Sequence, residues 1–222
     1  CDYTAEFTAS LPFTLTGAQK RAVAEASADM EKKWPMNRLL QGDVGSGKTA
    51  VAAALIYSAV KNGFQCALMA PTEILAQQHS ATLQRLFENT GIDIRLLTGS
   101  VPAAEKRKIK AAAASGEAQL LIGTHALLEK DVEFAALGLV VIDEQHRFGV
   151  AQRGALSAKG ENPHILVMTA TPIPRTLAMI IYGDLDISIL DELPPGRQKI
   201  KTYTVDTSKR LRAYRYIADH LD

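Results

Sequence analysis

Arg38-Leu39-Leu40-Gln41 runs directly into Gly42-Asp43-Val44-Gly45-Ser46-Gly47-Lys48-Thr49, and the alanine-rich stretch Ala50 to Lys61 follows. An apolar run, a glycine-rich octet and a helical pattern, in that order, decide the fold. The octet fits G-x-x-x-x-G-K-[ST], and a strand before it with a helix after it is the context this pattern requires. Glycines let successive backbone N–H groups curl round phosphate oxygens without interference from Cβ atoms. Lys48 offers a cation to the β- and γ-phosphates of ATP, and the Thr49 hydroxyl is a ligand for Mg²⁺. The start of the following helix adds partial positive charge. The plain alternative is a glycine-rich turn, against which the flanking elements and the extra Gly45 both weigh.

Working outward, short apolar runs alternate with longer helical patterns. Arg38–Gln41, Ala67–Ala70, Ile94–Leu97, Leu120–Ile122, Leu139–Ile142 and Ile165–Met168 read as strands buried on both faces, as in a parallel sheet. Helices are expected from near Thr16 to a stop at Pro35, over Ala50–Lys61 with Asn62-Gly63 as its end, from Glu73 to Thr90 with Thr72 as cap, and over Pro102–Ser115. This alternation predicts an α/β fold, a doubly wound, mostly parallel sheet with helices on both faces. Pro194-Pro195-Gly196 reads as a linker. The expected division is therefore 1–194 for the P-loop domain with its N-terminal arm, and 195–222 for a linker and the start of a second domain. A strand at Lys199–Val205 and a helix at Ser208–Leu221 would open that second domain, and two elements cannot close a core.

The chain has 222 residues, 47% apolar and 22% charged, which excludes disorder. A net charge of +1 means that any nucleic-acid partner is met by a local patch rather than by the average field. Cys1 and Cys66 cannot build a disulfide framework, and Cys66 lies in an apolar run, so a core thiol in a reducing interior is expected. The longest near-apolar stretch is too short to span a bilayer. The first residue is Cys1, and an excised piece of a longer protein is expected.

A second site lies at Leu139-Val140-Val141-Ile142-Asp143-Glu144. A buried strand that delivers two acids at its C-terminal end does so where doubly wound sheets hold ligands. Asp143 would hold Mg²⁺, usually through water, and Glu144 would polarise the attacking water, which marks hydrolysis rather than binding alone. The bland reading is a solvated acidic turn, and a P-loop in the same domain argues against it.

Asp143-Glu144-Gln145-His146 resembles the DEAH-type box of superfamily 2 helicases, and Thr169-Ala170-Thr171-Pro172 is similar to their third motif. Ala70-Pro71-Thr72-Glu73, Thr98-Gly99-Ser100 and Gly123-Thr124-His125 resemble the loops by which such proteins hold a nucleic-acid backbone. Pro35 through Asp43, Asp143 through Val150, Ala170 through Leu177 and Tyr182 through Asp186 resemble the RecG family of bacterial branched-DNA helicases over essentially the whole chain. The rival resemblance is to the Mfd translocases, through Pro172-Ile173-Pro174-Arg175-Thr176. Gln41, Ser46, Gln145 and the run Gly183-Asp184-Leu185-Asp186 favour RecG.

The resemblance implies the first RecA-like lobe of an ATP-driven motor on branched or duplex DNA. It implies partners in the same parent chain, a second lobe and a wedge domain, and a bacterial cytoplasmic setting at the nucleoid. Lys48, Asp143, Glu144 and His146 are then the catalytic candidates, with ATP and Mg²⁺ as the ligands. Phe13 and Gln19 would meet adenine; the alternative for Phe13 is packing of the arm. Pro71, Thr72, Gly99, Ser100, Thr124 and His125 are the DNA-contact candidates, and helix capping is the alternative for Thr and Ser. Arg147, Phe148, Thr169 and Thr171 would couple DNA to nucleotide, with His146 bridging the acidic box to the two threonines. Lys106-Arg107-Lys108 with Lys110 reads as a solvated face, and Trp34 as a packing residue. A nucleotide-dependent DNA-binding module without hydrolysis and an RNA helicase stay open, since backbone contacts carry little of the DNA–RNA distinction.

Overall fold

The structure, a computed structural model, describes residues 1–144, 150–171, 185–192 and 206–218. Strand β1 (Asn37–Gly42) buries Leu39 and Leu40, which point to opposite faces, so both faces need cover. Around it stand β2 (Gln65–Met69), β3 (Ile94–Leu97), β4 (Leu120–Gly123), β5 (Leu137–Glu144), β6 (His164–Thr169) and β7 (Asp186–Leu190). Among the described residues the order is β3-β4-β2-β5-β6-β1-β7, with every pairing parallel.

The period-2 alternation of the strands divides the core. Leu40, Leu68, Val141 and Met168 pack with α1 (Thr4–Ser10), α2 (Gly17–Met30), α3 (Lys48–Lys61) and α4 (Glu73–Leu86) on one face. Ala67, Met69, Val140 and Ile142 pack on the other with Ile109 and Ala113 of α5 (Ala103–Ser115) and Leu156 of α6 (Val150–Ser157). Helix α3 is buried at every residue from Ala50 to Val60, and its alanines let it lie close against the sheet. The doubly wound α/β fold is as expected.

Parallel strands send all their C-terminal ends to one edge, and that edge carries the octet, the acidic pair and the loops after β2, β3, β4 and β6. The β1, β6 and β5 ends lie side by side, with Thr169 in register with both Gln41 and Glu144. The β2, β4 and β3 ends continue the edge.

All six expected strands are present. Helix α4 stops at Leu86 rather than Thr90, because Phe87 turns inward to pack on Phe7 at 5.2 Å between ring centroids. Thr90 then closes the turn by donating through its hydroxyl to the Phe87 carbonyl at 2.7 Å, and Gly91 has φ +73°. Helix α2 ends at Met30, short of Pro35. Trp34 is 75% exposed, so its expected packing role is overturned; the turn that follows α2 carries it away from the core. Cys66 is fully buried, and burial pushes its thiol pKa far up, as a core thiol requires.

Among the described residues α1, α6 and β7 lack a counterpart in the sequence reading, and α6 packs Leu156 into the second core. Helix α1 docks through Phe7, which stacks on Tyr57 of α3 at 5.1 Å. Strand β7 pairs with β1 and ends the strand order among the described residues. At the C-terminus, Arg210–Ala218 is helical within the expected Ser208–Leu221. The linker 194–196 and the expected strand 199–205 lie outside the described residues.

Candidate functional site

The octet leaves β1 at Gly42 and enters α3 at Lys48. Gly45 and Gly47 take φ of +75° and +85°, which side chains with a Cβ rarely adopt. At Gly47 a Cβ would also stand 2.1 Å from the Gln19 amide nitrogen, so glycine is required there twice over. The loop is braced from inside: Ser46 N–H donates to the Asp43 carbonyl at 3.0 Å, and Val44 N–H to the Asp43 carboxylate at 2.7 Å.

Gln19, 3% exposed, ties the arm to this loop. Its Oε1 accepts from Thr16 N–H at 2.9 Å, completing the capping box of α2, and its Nε2 donates to the Ser46 carbonyl at 2.8 Å. Phe13, on the arm before α2, is 46% exposed and is not a core residue.

Two observations make the loop fit a phosphate. Helix α3 has no side-chain cap at Gly47, so its first N–H groups await an acceptor. Lys48 Nζ is held on the carbonyls of Gly42 and Asp43, at 2.7 and 2.9 Å, facing the same cavity. Burial pushes the Lys48 pKa below its usual value, and the charges of Asp143 and Asp43 oppose that shift.

The cavity at this point measures about 270 Å³ and brings Lys48 and Thr49 together with Asp143. Asp143 is thus opposite the loop, across the end of β6. Glu144 closes β5; its side chain lies outside the described residues, as do Gln145, His146, Arg147 and Phe148. Thr169 is buried at the end of β6, and its Oγ1 accepts from Thr171 N–H at 3.2 Å. Among the described residues no group of three or more His, Cys, Asp or Glu side chains could hold a metal ion. One acid and one hydroxyl facing a phosphate loop suit Mg²⁺, which keeps several waters and shares its ligation with substrate phosphates.

The far wall of the cavity was not anticipated. Leu75, Gln78, His79 and Thr82 line it, one face of α4 at i, i+3, i+4 and i+7. His79 Nε2 lies 2.6 Å from Asp143 Oδ2. The readable signal was polar residues at three of the four positions where a packed helix face would be apolar. A larger cavity, about 700 Å³, opens near Leu137 and His164, at the strand starts and away from this chemistry.

The six DNA-contact candidates sit on the other half of the edge, at the loops after β2, β3 and β4. Thr72 caps α4 by accepting from Leu75 N–H at 3.3 Å. Ser100 N–H donates to Glu73 at 3.1 Å; the Ser100 side chain first, then the Ser100 and Gly99 backbone, hold that carboxyl below its usual pKa, and the Ser100 and Thr98 hydroxyls are 3.1 Å apart. Thr124 is buried, His125 is exposed, and Pro71 and Gly99 flank Thr72 and Ser100. In the basic run, Lys110 is paired with Glu129 and Asp131, and Lys106 donates to the Gly99 carbonyl.

A parallel sheet with a P-loop on one strand and an acidic pair two strands away is the architecture of a RecA-like helicase lobe, and the DEAD/DEAH box helicase model matches residues 16–180. The chain belongs to that family. It is similar to the ATP-dependent DNA helicase RecG of Bacillus subtilis, 55% identical over 199 residues that make up 90% of this chain and 29% of that protein. The RecG of Streptococcus pneumoniae is 58% identical over 193 residues, 87% of this chain and 28% of that one. A solved structure of RecG bound to a three-way DNA junction superposes with a TM-score of 0.83 at 47% identity, covering 96% of this chain and 28% of that chain. The chain therefore spans less than a third of these relatives and matches their first motor lobe. Among the described residues no helix is long and apolar enough to cross a membrane.

Proposed function

We propose that this chain is the ATP-binding lobe of an ATP-dependent DNA helicase of RecG type, a motor that remodels branched DNA such as stalled forks and Holliday junctions in recombination and repair. The observation that carries this reading is the shared cavity of Lys48, Thr49 and Asp143. Lys48 exchanges its two carbonyl partners for phosphate oxygens and neutralises part of their charge. Backbone N–H groups of the loop and the start of α3 bind the remaining oxygens, while Phe13 serves the adenine side and Gln19 joins it by exchanging Thr16 or Ser46 for the base. Thr49 and Asp143 hold Mg²⁺, which when bound neutralises charge on the phosphate chain. Glu144, the last residue of β5, takes a proton from the attacking water.

His146, Arg147, Phe148, Thr169 and Thr171 couple this site to DNA held by Pro71, Thr72, Gly99, Ser100, Thr124 and His125. Residues 1–194 form the lobe, and residues 195–222 lead into a second RecA-like lobe. That second lobe supplies arginines to the transferring phosphoryl group, worth about 10³–10⁵ in rate in related P-loop enzymes. The fragment alone then binds nucleotide without efficient turnover.

The test is Glu144→Gln in a protein that carries both lobes. Binding of a labelled ATP analogue should stay within about twofold, while DNA-stimulated turnover falls by about 10²–10⁴, the usual contribution of general-base catalysis. Unchanged turnover would remove Glu144 from its role and favour a nucleotide-dependent binding module.

A further inference from the structure

The wall of the nucleotide cavity contributed by α4 carries a group for which the P-loop and acidic box have no place. His79 stands 64 residues from Asp143 in sequence, yet its Nε2 lies 2.6 Å from Asp143 Oδ2. Both side chains are mostly enclosed, 12% and 20% exposed. We propose that His79 is a positioning residue that holds the Asp143 carboxylate toward the metal ion accompanying the nucleotide, an inference that rests on the ATP-binding reading above.

A carboxylate on a strand end can rotate about χ1 and χ2, and each misdirected rotamer lowers the fraction ready to meet an ion. An Nε2–H donated to Oδ2 fixes that rotation and leaves Oδ1 and the second lone pair of Oδ2 for the ion or its water. Outer partners of metal-facing carboxylates act in this way generally. The holder is itself well placed. Thr72 caps α4, which fixes where the helix begins, and His79 follows on its inward face beside Leu75 and Thr82. Lys48 lines the same cavity. The polar partner of His79 in this arrangement is Asp143, through which it acts.

The measurement is binding of a fluorescent, slowly hydrolysed ATP analogue to the 222-residue chain, titrated with Mg²⁺ at fixed nucleotide. In His79→Ala the Mg²⁺ concentration for half-maximal enhancement should rise about 10- to 100-fold, the usual loss for an outer partner of a metal ligand. Binding without Mg²⁺ should stay within about twofold, since the His79 hydrogen bond goes to Asp143 and an outer partner acts through the metal ligand. His79→Gln, whose amide can donate over a similar reach, should recover most of the shift, and His79→Leu, which fills the space without a donor, should not. An Mg²⁺ midpoint unchanged in both His79→Ala and His79→Leu overturns the proposal. So does equal loss in the Gln and Leu variants accompanied by a lower Tm, which would make His79 a packing residue. Failure of the unsubstituted chain to bind the analogue at any Mg²⁺ concentration would overturn the ATP-binding reading as well, a result distinct from failure of the variants alone.

Discussion

Along one edge of the sheet, the β1–β6–β5 half and the β2–β4–β3 half treat their polar groups in opposite ways. The first half keeps groups in waiting: a helix start without a side-chain cap, and Lys48 desolvated on two carbonyls. The second half closes on itself through Thr72 on α4, Glu73 on Ser100, and Lys106 on Gly99. A site that captures a multiply charged phosphate chain gains from groups whose demands only that ligand meets. The loops proposed to hold a nucleic-acid backbone would gain from being preformed and surrendering few bonds. Helix α4 joins the halves, since Thr72 begins it on one side and His79 reaches Asp143 on the other.

The largest effect is expected where the frame of the nucleotide half is pinned. Arg38 of β1 donates to Asp29 of α2 through Nε at 2.8 Å and to Ser188 of β7 at 2.8 Å, both buried. Burial alone would raise the Asp29 pKa, but hydrogen bonds from Lys32 and Arg38 hold it below its usual range. Asp29→Ala removes the buried carboxylate from Arg38 but leaves Glu25 at 3.2 Å, so the cost should lie at the lower end of the range for breaking a buried pair, about 3 kcal/mol. Chemical denaturation should register that loss, and a change below about 1 kcal/mol would mean that water reaches Arg38.

Lys48→Ala probes the waiting group next. Nucleotide affinity should fall about 100-fold, or ~2.7 kcal/mol at 1.36 kcal/mol per decade, with denaturation unchanged within about 0.5 kcal/mol. Equal losses in affinity and stability would erase the contrast between the halves, because Lys48 would then be structural.

Thr72→Ala reverses the pattern on a smaller scale. Loss of the α4 cap should lower stability by about 1 kcal/mol, a shift of a few degrees in Tm, and leave nucleotide affinity in the absence of Mg²⁺ unchanged. Stability equal to the parent's would show that Thr72 is held in reserve for a ligand, like the groups around the P-loop.

Much of the site could be read from the chain because its parts are local. A P-loop is eight consecutive residues whose backbone geometry glycines set, and Gly45 and Gly47 adopt the left-handed conformations that such a loop demands. The two acids follow one apolar strand, so Asp143 and Glu144 were legible from hydropathy and position alone. Buried parallel strands announce themselves as unbroken apolar runs, and all six of the expected ones are present. Strand β7 escaped because Ile187 and Ile189 alternate with Asp186 and Ser188 over five residues at an edge, a weak pattern beside the central strands. Helix α1 escaped because seven residues carry little periodic signal, and its stability comes from Phe7 on Tyr57 and Phe87. Trp34 was misjudged because size alone does not decide burial.

The sequence by itself determined the α/β class, the phosphate loop and the acidic strand, since each is specified by neighbours within a dozen residues. Tertiary structure alone decided the strand order that sets β1 and β5 either side of β6, and so brought Lys48 to Asp143. It also decided that Gln19 would pin Ser46 and that His79 would hold Asp143. These are contacts between residues 27 and 64 positions apart. Only packing of helices on a sheet can set such distances, because no local periodicity records which face of one element will meet which end of another.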